Sequence, residues 1–179
     1  MEPAEIFQQI KTFLGFGEED AKTLRGIQAW VEAHGPKITD TFYATIGETS
    51  DLAAFIEGRV EHLKKTHIQW MRELVGGEYG DEYFKSRWKI GEAHVRIGLE
   101  PFWVDGTMSL IRGQALVSLA DNLDDKAMVA AATASLIKAC DLDLAIINLA
   151  YAEDRLERLS SFTGMKRALI ENVIRLPKK

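Results

Sequence analysis

Apolar residues recur three or four positions apart through nearly the whole of this chain, and no stretch alternates with the period of two that a half-buried strand requires. That periodicity confines the chain to helices. The prolines agree with it. Pro3, Pro36 and Pro101 each fall where a helix can begin, and Pro177 lies in the tail, so none interrupts a helical run. The expected order starts with a short helix over 3–13 and a second over 18–33, whose acidic first turn suits the positive end of the helix dipole. After a break at His34-Gly35-Pro36, a third helix carries Phe42, Tyr43 and Ile46 inward, and a short turn covers 51–56. Helices over 58–75, ended by Gly76-Gly77, over 81–98, and from Pro101 to Asp121-Asn122 come next, and a long helix begins near Asp124-Asp125. The pattern implies an all-α domain of seven or eight helices.

With 179 residues, 46% hydrophobic and 27% charged, the chain matches one soluble domain with a full core. The net charge of −5 and the lack of any basic stripe exclude a nucleic-acid surface. The most apolar stretch, 127–152, carries Lys138, Asp141 and Asp143 near its middle, too polar for a membrane span. Cys140 is the lone cysteine and the start Met-Glu-Pro-Ala-Glu has no signal-peptide character, so a cytoplasmic location is expected.

The segment Lys89-Ile-Gly-Glu-Ala-His94-Val-Arg-Ile-Gly-Leu99-Glu-Pro101-Phe-Trp103 carries the clearest chemical signal. At helical spacing Ile90, His94 and Ile97 share a face, with Gly91 three residues before the histidine and Gly98 four after. Glycine weakens a helix, so two of them here suggest that something flat and bulky approaches the backbone. A haem held by an imidazole meets that demand. A histidine on an apolar face can equally be a hydrogen-bonded core residue.

This segment, together with Phe42-Tyr43, resembles the proximal motif of the globin-coupled sensors, haem sensors with a globin fold. The resemblance runs from the Leu14 region to the Tyr151 region and is most specific over Gly91-Glu-Ala-His94-Val-Arg96-Ile-Gly98-Leu. It implies an all-α globin fold with an extra N-terminal helix and no separate D helix, and His94 as the proximal iron ligand. A Cys-x-x-Cys-His run is absent, so the expected cofactor is non-covalent haem b, with Ile90, Gly91, Ile97 and Gly98 around the proximal side. Nδ1 of His94 is expected to donate to the carbonyl of Ile90.

On the other side of the haem, Leu63 and His67 belong to an inward stripe with Val60, Trp70 and Leu74. His67 could approach iron opposite His94, or it could be a buried neutral histidine bonded to a carbonyl or a propionate. His67 is a feature of this chain and not of the resemblance. The family commonly uses the tyrosine at Tyr43 to donate a hydrogen bond to bound dioxygen; otherwise Tyr43 is a core ring with its hydroxyl at the surface. His62 is expected on a solvated face and His34 at a helix end.

Other chemistries lack their residues. There are no paired Glu-x-x-His motifs for a di-iron bundle, no His-Glu-x-x-His, no paired cysteines and no phosphate loop. The expected function is a sensor of a diatomic gas, O2 above all but also CO or NO, or of iron redox state. Ligation would pull on His94 and pass through the last two long helices to an output domain. The alternative is a single-domain globin enzyme, a nitric oxide dioxygenase or peroxidase. Residues 1–158 form the expected sensor domain, and 159–179 a helical linker or tail toward an output module. In the family the usual dimer contact is a four-helix bundle. Gly106, Leu110, Gly113 and Val117 on one helix, with Ala127, Ala131, Ala134 and Leu136 on the next, would build such a homodimer. Phe162, Met165, Leu169, Val173 and Leu176 continue an apolar stripe beyond it, suited to a linker helix or to folding back on the globin.

Overall fold

The computed structural model describes residues 2–177, which form nine helices and no strand. In chain order these are α1 (Pro3–Phe13), α2 (Glu18–Gly26), α3 (Gln28–Glu48), α4 (Ser50–Ile56), α5 (Val60–Leu74), α6 (Asp81–Arg96), α7 (Pro101–Asn122), α8 (Lys126–Thr163) and α9 (Arg167–Arg175). α1 and α7 open on proline, where a missing N–H leaves no helical bond unmade. Asp20 caps α2 by accepting from the Gly17 N–H at 3.1 Å, and Asp125 starts α8 by accepting from Ala127 and Met128 at 2.9 and 3.2 Å. α1, α5, α6, α7 and the start of α8 follow the spans expected from the sequence, whereas α2 ends at Gly26 and not near residue 33.

Two expectations fail around Pro36. The break falls at Gly26-Ile27, and α3 runs unbroken from Gln28 through His34, Gly35 and Pro36. Proline in a helix frees the carbonyl four residues earlier, here that of Glu32, and costs about 3 kcal/mol. Packing offsets that cost. Pro36 lies on the exposed side, and Gly35 on the buried side faces α5, where an added Cβ would meet Met71 Cε at 3.1 Å. His34 is therefore mid-helix and half-buried, its ring 5.9 Å from that of Trp30. The turn expected at 51–56 is the short helix α4.

α8 is the spine of the molecule. α6, α7, α2 and α1 pack on it, while α3 bridges α5, α4 and α7. Its residues Ala132, Ala139, Leu142 and Ile146 have no exposed surface. Leu136, expected on a dimer face, is buried in this core, whereas Ala127, Ala131 and Ala134 are exposed or half-buried, as are Gly106, Gly113 and Val117 of α7. α8 ends at Gly164, in the left-handed region at φ 69°, and α9 turns back along it. Ile170 is buried against α8, Arg167 pairs with Glu153, and Ser160 donates to the Met165 carbonyl at 2.7 Å. Phe162, Leu169, Val173 and Leu176 remain exposed. No helix among the described residues is long and apolar enough to cross a membrane.

Candidate functional site

An apolar cavity of about 460 Å³ opens between α3, α4, α5, α6 and α7, a size typical of a ligand pocket. Phe42, Tyr43 and Ile46 reach it from α3, Phe55 and Ile56 from α4, and Leu63, His67 and Trp70 from α5. α6 contributes Ile90, Ala93 and His94, its C-cap adds Ile97, and α7 contributes Trp103, Val104, Met108 and Ile111. The two exposed cations on its lining are Arg59 and Lys89. Amphipathic packing explains this assembly: each helix turns one apolar stripe inward, and the stripes of α5 and α6 each include one histidine.

His67 is held from three sides. Its ring stacks on Phe42, with centroids 4.8 Å apart and planes 5° from parallel, and on Trp70 at 5.3 Å and 18°. Nδ1 shares a 2.9 Å hydrogen bond with Oγ1 of Thr39, which is wholly buried. Nε2 is buried with no partner among the described residues. Burial lowers the pKa of His67 to about 4, so the imidazole is neutral and has a nitrogen to offer.

His94 faces the same cavity from α6, and burial lowers its pKa as well. Its Nδ1 has no partner among the described residues, so the expected bond to Ile90 is not formed. The carbonyl of Ile90 already receives the backbone N–H of His94 within the helix. The backbone carbonyl of His94 is fixed by the turn that ends α6: Leu99 donates to it at 3.1 Å while Gly98 donates to Val95 at 3.0 Å.

That turn corrects the reading of the two glycines. Gly98 has φ 73° and ends the helix; it does not line the cavity. Gly91 is buried against α8, where a Cβ would fall 2.6 Å from Ala150 Cβ and 3.0 Å from the Ile147 carbonyl oxygen. Its missing side chain admits another helix and not a flat ligand. Ile90 and Ile97 do line the cavity, although Ile97 is 40% exposed.

Tyr43 also lines the cavity and is half-buried, and its hydroxyl is already engaged. It donates to the Leu63 carbonyl at 3.2 Å, and burial pushes its pKa up to about 12. Leu63 thus contributes a side chain to the wall and a carbonyl to Tyr43. His62 is exposed, as expected, and neither it nor His34 reaches the cavity.

Beneath Trp70 lies a charge cluster that the sequence pattern did not disclose. Asp143 of α8 is wholly buried and accepts from Trp70 Nε1 at 2.7 Å, from Arg87 Nε at 3.0 Å and from the Tyr83 hydroxyl. Arg87, also wholly buried, pairs in addition with Glu73 and donates to the Trp70 carbonyl at 3.3 Å. Burial pushes the Asp143 carboxyl up, against the opposing pull of Arg87. The signal was an aspartate in the middle of the most apolar stretch. The other unforeseen site residue, Thr39, lies one helical turn before Tyr43.

The family model described as Protoglobin matches residues 4–157. The heme-based aerotactic transducer HemAT of Halobacterium salinarum is 30% identical over 126 residues, which cover 69% of this chain and 26% of that protein. The chain therefore spans about a quarter of the length of this curated relative. Among solved structures, the globin domain of a Geobacter sulfurreducens globin-coupled sensor superposes with a TM-score of 0.76 at 30% identity, covering 80% of this chain and 96% of that one. The globin domain of E. coli DosC, in its ferrous form, shares the fold, with a TM-score of 0.68 at 13% identity over 80% of this chain and 97% of the other.

Proposed function

The chain belongs to the Protoglobin family, and we propose that it is a haem-binding globin sensor domain in which His94 and His67 would hold the iron through ring nitrogens. One observation carries this reading: two neutral imidazoles face a single apolar cavity, and that of His67 keeps its buried Nε2 without a partner among the described residues. Buried polar atoms are rarely left so, and an orphan here points to a missing partner. Haem b would supply iron that coordinates a diatomic gas. Arg59 and Lys89 are the cations placed to meet the two carboxylates of that group.

His67 is the group that a gas must displace, and its clamped ring ties that event to α5. Tyr43 is the second donor on the same side, once its hydroxyl leaves the Leu63 carbonyl. The relatives named above support gas sensing, with O2 the first candidate. A homodimer through the exposed small residues of α7 and α8 would carry the signal onward, with residues 1–158 as sensor and the segment that follows as its connection to an output module.

The decisive experiment compares absorption spectra of the parent protein and His94→Ala, both purified with haem. The parent should show a Soret band and low-spin, six-coordinate visible bands, and the variant should lose stoichiometric haem or change spectrum. An unchanged spectrum in the variant would remove His94 from the iron. A five-coordinate ferrous parent would remove His67.

A further inference from the structure

We infer that Thr39 is the positioning residue of His67, its hydroxyl fixing which ring nitrogen faces the cavity and serving as hydrogen-bond partner to either tautomer. The inference rests on the haem reading above for its consequence, but not for its geometry. Three other threonines follow on or just after the same helix, and each obeys the local rule: Thr41, Thr45 and Thr49 donate to the carbonyl four residues earlier at 3.0, 3.0 and 2.9 Å. Thr39 does not. Its hydroxyl bonds a side chain 28 residues away, Nδ1 of His67, at 2.9 Å, and it is wholly buried.

A hydroxyl is the right group for this position because it both donates and accepts. In the haem-free protein the 2.9 Å contact serves either tautomer: the hydroxyl donates to Nδ1 when the imidazole proton is on Nε2, and accepts from Nδ1 when the proton is there. When Nε2 must offer a lone pair to a metal, the imidazole proton resides on Nδ1, with no change in net charge. Thr39 then accepts from Nδ1. A histidine ligand characteristically donates its second ring nitrogen in this way, and the loss of that partner typically weakens the ligand ten- to a hundredfold. Phe42 and Trp70 hold the plane of the ring, but two flat faces cannot choose its nitrogens. Thr39 makes that choice.

The test uses Thr39→Val, which keeps the shape and removes the hydroxyl, with Thr39→Ser as rescue and Thr39→Ala as a second deletion. Nitrogen-15 spectra of the haem-free proteins read the contact directly. The His67 Nδ1 resonance should move in the valine and alanine variants and stay at the parent position in the serine variant. In the haem-loaded ferrous proteins, CO affinity should rise about tenfold in Thr39→Val as His67 loosens and stay near parent in Thr39→Ser. Adding His67→Leu should abolish the difference between the parent and Thr39→Val. A valine variant with unmoved ring-nitrogen resonances, or with an equal change of CO affinity in the His67→Leu background, would overturn the role of Thr39. A parent that binds no haem, or whose ferrous iron is five-coordinate, would overturn the reading of the site instead. The nitrogen-15 result would then still decide the Thr39 contact.

Discussion

Gly91→Ala separates two reasons for the same residue. If Gly91 made room for a flat ligand, alanine would impair ligand binding and leave the haem-free protein at least as stable. The structure predicts the opposite. An added methyl would lie 2.6 Å from Ala150 Cβ, 3.0 Å from the Ile147 carbonyl oxygen and 3.3 Å from Ile147 Cα. Carbon atoms in contact prefer about 3.5–4.0 Å, and two of these three neighbours are backbone, which cannot rotate away. α6 must shift off α8, and an overpacked contact of this kind costs about 1–3 kcal/mol. Alanine gains about 1 kcal/mol of helix propensity over glycine, so the net loss should be about 0–2 kcal/mol. For a domain of this size, each kcal/mol lowers the melting temperature by about 2–4 °C. Thermal and urea unfolding of the haem-free protein measure it. Gly47→Ala in α3 is the control: only Ile56 Cδ1, at 3.9 Å, lies within 4 Å of a Cβ there, an ordinary contact, so alanine should stabilise slightly. A Gly91→Ala protein stabilised to the same extent as the control would refute the packing account and return the glycine to the cavity.

Arg87→Met should cost about 3–5 kcal/mol in urea unfolding, because it strands the buried Asp143 carboxylate, while Arg87→Met with Asp143→Leu should recover much of the loss. Equal stability of the single variant and the parent would show that the pair is not coupled. The haem-free protein should lose stability as pH falls from 6.5 to about 4, since unfolded His67 takes a proton throughout that window and folded His67 resists it. That contribution is up to about 3 kcal/mol and should be missing in His67→Leu. Sedimentation at micromolar concentration should give twice the mass of one chain, and Gly113→Glu on the exposed face of α7 should halve it; a parent that sediments as one chain ends the dimer reading.

The helices were legible because their signals are local. Apolar spacing, acidic first turns, and proline or glycine at the ends located α1, α5, α6, α7 and the start of α8. Pro36 misled because the local cost is real but smaller than the contact of α3 with α5, which no local rule contains. The same distinction divides the site. His94 and His67 were visible as histidines on apolar stripes. The ring-nitrogen partner of His67 was not, because Thr39 lies 28 residues before it and the bond exists only once α3 crosses α5. The glycines flanking His94 were rightly singled out and wrongly explained: the neighbour that demands a small residue at Gly91 belongs to another helix, and Gly98 is required by the left-handed turn that ends α6.

Arg87, Gly91 and His94 follow one stripe of α6 at spacings of four and three, and each has its counterpart in the packing. Arg87 meets Asp143 on α8, Gly91 lets Ile147 and Ala150 of the same helix approach, and His94, at the end of the stripe, enters the cavity. α8 therefore sets the height of His94 through two rigid contacts. The opposite wall is tied to the same point. Trp70, which stacks on His67, donates its indole N–H to Asp143, and its carbonyl accepts from Arg87. Both imidazoles are thus referenced to one buried ion pair. Breaking a buried pair by removing one partner is costly, so the pair resists independent movement of α5 or α6. A displacement of either histidine must bend its own helix locally or move the cluster as a unit. The second route passes straight into α8, whose exposed alanines lie on the proposed dimer face.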